Sequence, residues 1–135
     1  TELITLFAGI YNSATGEMRY INAGHCAPIL LKKSTKQFST LEGRSKIIGA
    51  DPSALYLAST HNFESGDELF LFTDGATEIY DEASGRGFTE SDLIESIKKN
   101  INLDIEEKIH VLIERINACG DAIKDDITLI AVRFN

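Results

Sequence analysis

One stretch constrains this chain more than any other: GDELFLFTDGATEIYD, residues 66–81. Leu69, Phe70, Leu71 and Phe72 put apolar side chains on both faces of an extended segment, the pattern of a strand covered on both sides. That strand runs straight into Thr73-Asp74-Gly75. A carboxylate at the end of a buried strand is costly unless something compensates it. The glycine after it lets the backbone turn tightly. A second acidic site, Asp125-Asp126, stands just before another apolar run, Ile127 to Phe134. If the two strands pair antiparallel, the C-terminal end of one and the N-terminal end of the other share an edge of the sheet. Asp74 then meets Asp125 and Asp126. Clustered carboxylates resist ionising together. A hard divalent cation removes the conflict, because Mg²⁺ and Mn²⁺ take oxygen ligands and carboxylates are their usual protein donors. On spacing alone a second reading stands beside this one: Asp74 opens a turn and Asp125-Asp126 is a solvated loop.

The remaining pattern is strands first, helices later. Leu3 to Tyr11 is apolar and β-rich, and the turn NSATGE, with Gly16 free to take positive φ, leads into EMRYINAG. Alternation there places Met18, Tyr20 and Asn22 on one face and Arg19, Ile21 and Ala23 on the other, so the two runs predict a hairpin. Pro28 to Lys32 and Gln37 to Leu41 predict two short strands around KKSTK, and Leu55 to Phe63 another. The period then changes. Thr89 followed by Asp92 is a helix start ahead of Leu93, Ile94, Ile97 and Ile101. Asp104 with Glu107 starts a second helix, whose Ile105, Ile109, Leu112, Ile116 and Cys119 form one stripe, and Gly120 supplies its stop. The fold class is α+β, helices layered on sheet.

Bulk properties exclude several functions. The chain has 135 residues, enough for one domain with a core, and a net charge of −8, which disfavours nucleic acid as a partner. No apolar run reaches the roughly 18 residues of a membrane span, and no signal peptide is visible. Cys26 and Cys119 form no CxxC and read as reduced thiols of a cytoplasmic protein.

Four stretches in order carry a resemblance: LFAGIYNSATGEMRYINAGHCAPILL, GDELFLFTDGATEIYDEASGRGF, the two-helix segment, and DDITLIAVRF. Together, NAGH, TDG-x-TE and DDIT at this spacing resemble the metal-dependent PPM-type (type 2C-like) Ser/Thr protein phosphatases, in their bacterial SpoIIE/RsbU-like branch. The resemblance spans essentially the whole chain. It implies an α–β–β–α sandwich and hydrolysis of phosphoserine or phosphothreonine on a protein. Two Mn²⁺ or Mg²⁺ ions would activate a water for in-line attack on phosphorus, with no phosphoenzyme. It also implies residue roles. Asp74 and Asp125 match metal-binding Asp positions, Gly75 the glycine beside the first, and Asp126 a neighbouring position that supports the ligands. Glu78, one helical turn after Asp74, matches a position that can help hold an additional metal. His25 in Asn22-Ala23-Gly24-His25 replaces the Asp of eukaryotic relatives; it would ligate metal, donate to a phosphate oxygen or pin its loop. Arg86 in Gly85-Arg86-Gly87-Phe88, an altered form of the family's Arg-Phe-Gly pattern, would meet a substrate phosphate or stand as a surface arginine.

By the same resemblance the family's domain starts well before the equivalent of Thr1. An early acidic motif, an Asp bridging both metals and a layer of helices would lie upstream. The chain is therefore expected to be the C-terminal portion, residues 1–135, of a single PPM-type domain truncated at its N-terminal side. Alone it would bind metal weakly and be nearly inactive, and an uncovered apolar sheet face would invite a homodimer or another partner. The parent would carry an upstream sensor or regulatory domain. Its substrate would be a phosphorylated regulatory protein such as an anti-sigma-factor antagonist. The competing expectation is a non-catalytic relative that keeps the scaffold for protein binding.

Overall fold

The computed structural model describes residues 2–83 and 85–135, the Arg86 side chain excepted. The chain divides into two compact units, Thr1–Asp67 with Phe134–Asn135, and Glu68–Arg133.

The first unit is all β. Strands β1 (Leu6–Asn12) and β2 (Glu17–Ala23) form the expected antiparallel hairpin, in register from Leu6↔Ala23 to Asn12↔Glu17. The turn is closed by the Gly16 amide donating to the Asn12 carbonyl at 2.9 Å. Gly16 takes φ +75°, and a Cβ there would stand 2.7 Å from the Phe63 carbonyl oxygen, so both conformation and space demand glycine. Strands β3 (Ile29–Lys32) and β4 (Gln37–Thr40) make a second hairpin around the basic turn. β2 also pairs with β5 (Arg44–Ser45) in parallel and with β6 (Ser59–Asn62) antiparallel. On β2, Tyr20 and Asn22 of one face are buried and Arg19 of the other is exposed, while Ala23 at the strand's end is buried as well. The run from Leu55 is shorter than its composition predicts. Only its last part is a strand, and Leu55 and Leu57 are exposed, because no partner strand pairs with them among the described residues. Leu3, Ile4, Leu6 and Ile10 are exposed as well.

This unit is pinned where the chain leaves and re-enters it. Phe134 stacks on Phe63 with ring centroids 3.8 Å apart and meets Tyr11 edge-on at 4.9 Å. The Phe134 amide donates to the Asp67 carbonyl at 3.0 Å. The Asp67 carboxylate is buried and accepts from the Glu64 and Lys33 amides, both at 3.0 Å, with the Lys32 ammonium at 3.2 Å. Burial alone would raise its pKa, but these amides and Lys32 together hold it below the ordinary value.

The second unit is mixed. β7 (Glu68–Phe72) pairs antiparallel with β10 (Leu129–Arg133), in register from Phe72↔Leu129 to Glu68↔Arg133. Between them in sequence lie a 3₁₀ turn (Asp74–Ala76), a small hairpin of β8 (Ile79–Asp81) and β9 (Arg86–Phe88), helices α1 (Glu90–Lys99) and α2 (Ile105–Asn117), and a second 3₁₀ turn (Gly120–Ala122). The β8–β9 hairpin has too few residues to announce itself by periodicity. Both helices begin in reciprocal capping boxes, Thr89 with Asp92 and Asp104 with Glu107. α2 ends at Asn117, before Gly120, which takes φ +55° to start the second 3₁₀ turn rather than to stop the helix.

α2 packs on α1 and on β10. Of its expected stripe Leu112 and Ile116 are buried and Ile105 and Ile109 half-buried, Cys119 lies buried just past its end, and Lys108 is buried as well. Lys108 Nζ donates to both Glu68 carboxylate oxygens, at 2.8 and 3.0 Å, and Arg133 donates to Glu68 Oε1 at 2.8 and 3.1 Å. A lysine and a glutamate, each almost wholly buried, thus tie α2 to β7, and the pairing is what makes their burial tolerable. Around them Leu69, Phe70, Phe72, Phe88, Leu93 and Ile97 form the apolar core of the unit. Each large side chain removed from water there contributes about 1.5–3 kcal/mol. The Arg115 guanidinium stands 5.4 Å over the Phe88 ring and donates to Ser96 Oγ, linking α2 to β9 and α1. Cys26 and Cys119 form no disulfide. Among the described residues no helix is long and apolar enough to cross a membrane.

Candidate metal centre

The antiparallel pairing of β7 and β10 brings the end of one strand to the start of the other. Two threonines lock that junction. The Thr73 amide donates to the Thr128 carbonyl at 3.1 Å, the Thr128 amide donates to Thr73 Oγ1 at 3.0 Å, and Thr73 Oγ1 donates to the Asp126 carbonyl at 3.2 Å. Thr73 was not singled out by residue chemistry. Its only sequence signal is its place before Asp74.

After Thr73 the chain makes one tight turn. The Thr77 and Glu78 amides both donate to the Asp74 carbonyl, at 2.9 and 2.8 Å. The i to i+4 bond carries Glu78 back over Asp74, as the spacing predicts. Gly75 is buried against the other strand's approach: a Cβ on it would stand 2.3 Å from the Asp126 carbonyl oxygen and 3.3 Å from Asp125 Cβ. The glycine serves close passage of two backbones here, not a left-handed φ.

Asp74, Gly75, Glu78, Ile79, Lys124 and Asp125 line one small cleft of about 110 Å³. The three acidic side chains are exposed. Asp74 Oδ1 accepts the Gly75 amide at 2.9 Å and Asp125 Oδ1 accepts the Asp126 amide at 2.7 Å, which fixes each carboxylate at its root. Among the described residues the second oxygen of each accepts no hydrogen bond. Asp126 departs from the expected meeting with Asp74. Its carbonyl faces Thr73 and Gly75, and its side chain is not part of the cleft wall. Lys124 is a cleft residue that the sequence reading did not identify; its ammonium donates to the Asp121 carbonyl.

Asn22 and His25 belong to the first unit. Asn22 is buried at the end of β2, and its Oδ1 accepts the His25 amide at 2.8 Å. Thr5 Oγ1 lies 3.1 Å from His25 Nδ1. These bonds hold the Asn22–His25 loop. Arg86 opens β9, and its side chain, with the phosphate contact expected of it, lies outside the described residues.

The donor chemistry of the cleft suits a hard divalent cation: carboxylate oxygens only, two of them anchored and with a free oxygen each. The set is open. Among the described residues no three His, Cys, Asp or Glu side chains stand close enough to hold an ion by themselves. Mg²⁺ and Mn²⁺ fit such a site, because Mg²⁺ in particular keeps several waters and takes one or two protein carboxylates.

The fold is that of PP2C-type phosphatase domains. The SiaA-PP2C domain of Pseudomonas aeruginosa superimposes with a TM-score of 0.73 at 17% identity, over 90% of this chain and 48% of that one. The manganese-presoaked phosphatase domain of SpoIIE from Bacillus subtilis gives 0.68 at 18% identity, over 97% of this chain and 56% of that one. In sequence, the phosphoserine phosphatase RsbU of Bacillus subtilis is 29% identical over 132 residues, which is 96% of this chain and 38% of RsbU. The family model described as stage II sporulation protein E (SpoIIE) matches residues 1–135, and the chain belongs to that family. It spans well under two thirds of the length of these relatives.

Proposed function

We propose that this chain is the C-terminal portion of a single catalytic domain in a metal-dependent protein phosphatase acting on phosphoserine or phosphothreonine. The observation that carries the reading is the convergence of Asp74 and Asp125 on one cleft, held there by Thr73 and Gly75. Asp74 and Asp125 would hold Mn²⁺ or Mg²⁺. Glu78 would reach an additional ion, and Asp126 would act through its backbone at the strand junction. A bound divalent ion would supply Lewis-acid stabilisation of the phosphoryl oxygens and a water of lowered pKa. The open donor set accounts for the expectation that these residues alone bind metal weakly and hydrolyse little. The substrate class is a phosphorylated regulatory protein, such as an anti-sigma-factor antagonist, and an upstream sensor domain would set the activity of a cytoplasmic parent. Exposed Leu3, Ile4, Leu6 and Ile10 favour a covering partner, including a second copy of the chain.

The test is Mn²⁺-dependent hydrolysis of p-nitrophenyl phosphate and a phosphoserine peptide by three proteins: this chain, the full-length parent, and the parent carrying Asp74→Asn. Activity confined to the unmutated parent supports the reading. Undiminished activity in Asp74→Asn overturns it. A parent that folds and takes up Mn²⁺ yet hydrolyses neither substrate favours the second reading, a protein-binding scaffold.

A further inference from the structure

The cleft that carries the carboxylates is also lined by one lysine, and its ammonium is not paired with them. Lys124 lines the same wall as Asp74, Glu78 and Asp125. Its Nζ donates to the Asp121 carbonyl at the second 3₁₀ turn. Among the described residues no carboxylate lies within ion-pair distance of it. An ammonium has three N–H donors, so two remain for a ligand. A flexible exposed lysine surrounded by acids would ordinarily fold down onto one of them. Here the carbonyl holds it back. The cleft therefore presents free carboxylate oxygens, with a lysine on its wall whose ammonium keeps two N–H donors uncommitted. The cleft opens to solvent, so a phosphoryl group can enter it while the rest of the substrate stays outside.

A phosphate monoester beside carboxylates needs cations in front of its charged oxygens and donors placed to orient them. Lysine is a compact point charge that contacts phosphate in this way. We propose that Lys124 is a phosphate-contacting residue of this site, donating to an oxygen of the phosphoryl group while Asp74 and Asp125 hold the metal. The inference rests on the function proposed above. It adds to that function a specific donor, from the residue next to Asp125.

The test uses the full-length protein as wild type, Lys124→Ala, Lys124→Gln and Lys124→Arg. Three quantities are read: KM and kcat for a phosphoserine peptide, binding of inorganic phosphate to the Mn²⁺-loaded protein by ³¹P relaxation, and Mn²⁺ affinity by electron paramagnetic resonance. Losing one charge-assisted hydrogen bond to phosphate should raise KM and weaken inorganic phosphate binding by about 10-fold in the Ala and Gln variants. Arg should recover most of both. Mn²⁺ affinity should hold or tighten, because a positive charge has left an acidic cleft. KM and phosphate affinity within about 2-fold of wild type in Lys124→Ala would overturn the proposal, as would a loss of Mn²⁺ affinity that accounts for the change. The phosphate measurement separates the two readings. If the wild type hydrolyses nothing, the proposed function fails, and phosphate binding that disappears with Lys124 still establishes the contact.

Discussion

Gly75 leaves no room for a side chain on the side facing Asp126: a Cβ there would stand 2.3 Å from the Asp126 carbonyl oxygen and 3.1 Å from its carbon. That carbonyl also accepts Thr73 Oγ1, so it cannot retreat without breaking the bond that locks the two strand ends. Gly75→Ala should cost about 1–3 kcal/mol through this clash. It should also weaken Mn²⁺ binding, because the segment carrying Asp125 must shift. Urea denaturation and a Mn²⁺ titration of the same variant read both effects. An alanine variant as stable as wild type would show that the junction yields freely.

The acids of the cleft are exposed, so their neutral isosteres should report on metal and not on folding. Asp74→Asn and Asp125→Asn should each lower Mn²⁺ affinity by about 10-fold or more, with unchanged circular dichroism. Glu78→Gln should lower it less. Asp126→Asn should leave it within about 2-fold, because Asp126 serves through its carbonyl. A larger loss in Asp126→Asn than in Asp125→Asn would reverse this assignment.

Lys108 and Glu68 are buried partners, and their energetics should show it. Lys108→Met removes the ammonium but leaves the Glu68 carboxylate buried with Arg133 alone. The expected cost is about 3–5 kcal/mol, a large share of the roughly 5–15 kcal/mol that holds a domain together. Adding Glu68→Gln to Lys108→Met should recover much of the loss, because no buried carboxylate then remains and the part-exposed Arg133 can be solvated. A double-mutant cycle by denaturant unfolding measures the coupling, and additive single costs would count against it.

His61 should make stability fall in mild acid. Burial pushes its pKa below the ordinary value, nearby Lys32 pushes it further, and Asp67 opposes them. Its Nε2 is buried with no hydrogen-bond partner among the described residues, and Phe63 meets its ring edge-on at 4.7 Å. Below about pH 6.5 the unfolded chain takes up a proton that the folded one refuses. The stabilisation is therefore complete above that pH and declines as pH falls towards the lowered folded value. Asp67 acts in a separate window. Its pKa is also lowered on folding, so its contribution is present above the unfolded value of about 3.9 and is lost as pH falls through the lower folded one. Thermal unfolding between pH 8 and 5 should show a slope that His61→Gln flattens. The same slope in both proteins would assign it elsewhere.

Much of the local architecture is legible in the sequence. Thr89 with Asp92 and Asp104 with Glu107 mark helix starts because a capping box is chemistry within four residues. The β1–β2 hairpin followed from alternation and a glycine turn, and the Asp-Gly at the end of β7 announced itself as a carboxylate where a buried strand stops. Leu55 and Leu57 misled, because an apolar residue becomes strand only when a neighbour pairs with it. Lys108 was hidden for the opposite reason: a lysine in an apolar stripe looks like a surface residue until a buried glutamate on another element is found to receive it.

The sequence by itself determined which residues cap, turn and alternate, and it placed acids at the ends of two apolar runs. Those properties depend on contacts a few positions long. Tertiary structure alone decided that Thr73 and Asp126, 53 positions apart, share a hydrogen bond. It decided that Asp125 and not Asp126 shares the cleft wall with Asp74, and that Lys124 lines the same cleft. The register of β7 on β10 sets the meeting of the two strand ends, and register is a property of two strands together that neither strand carries alone.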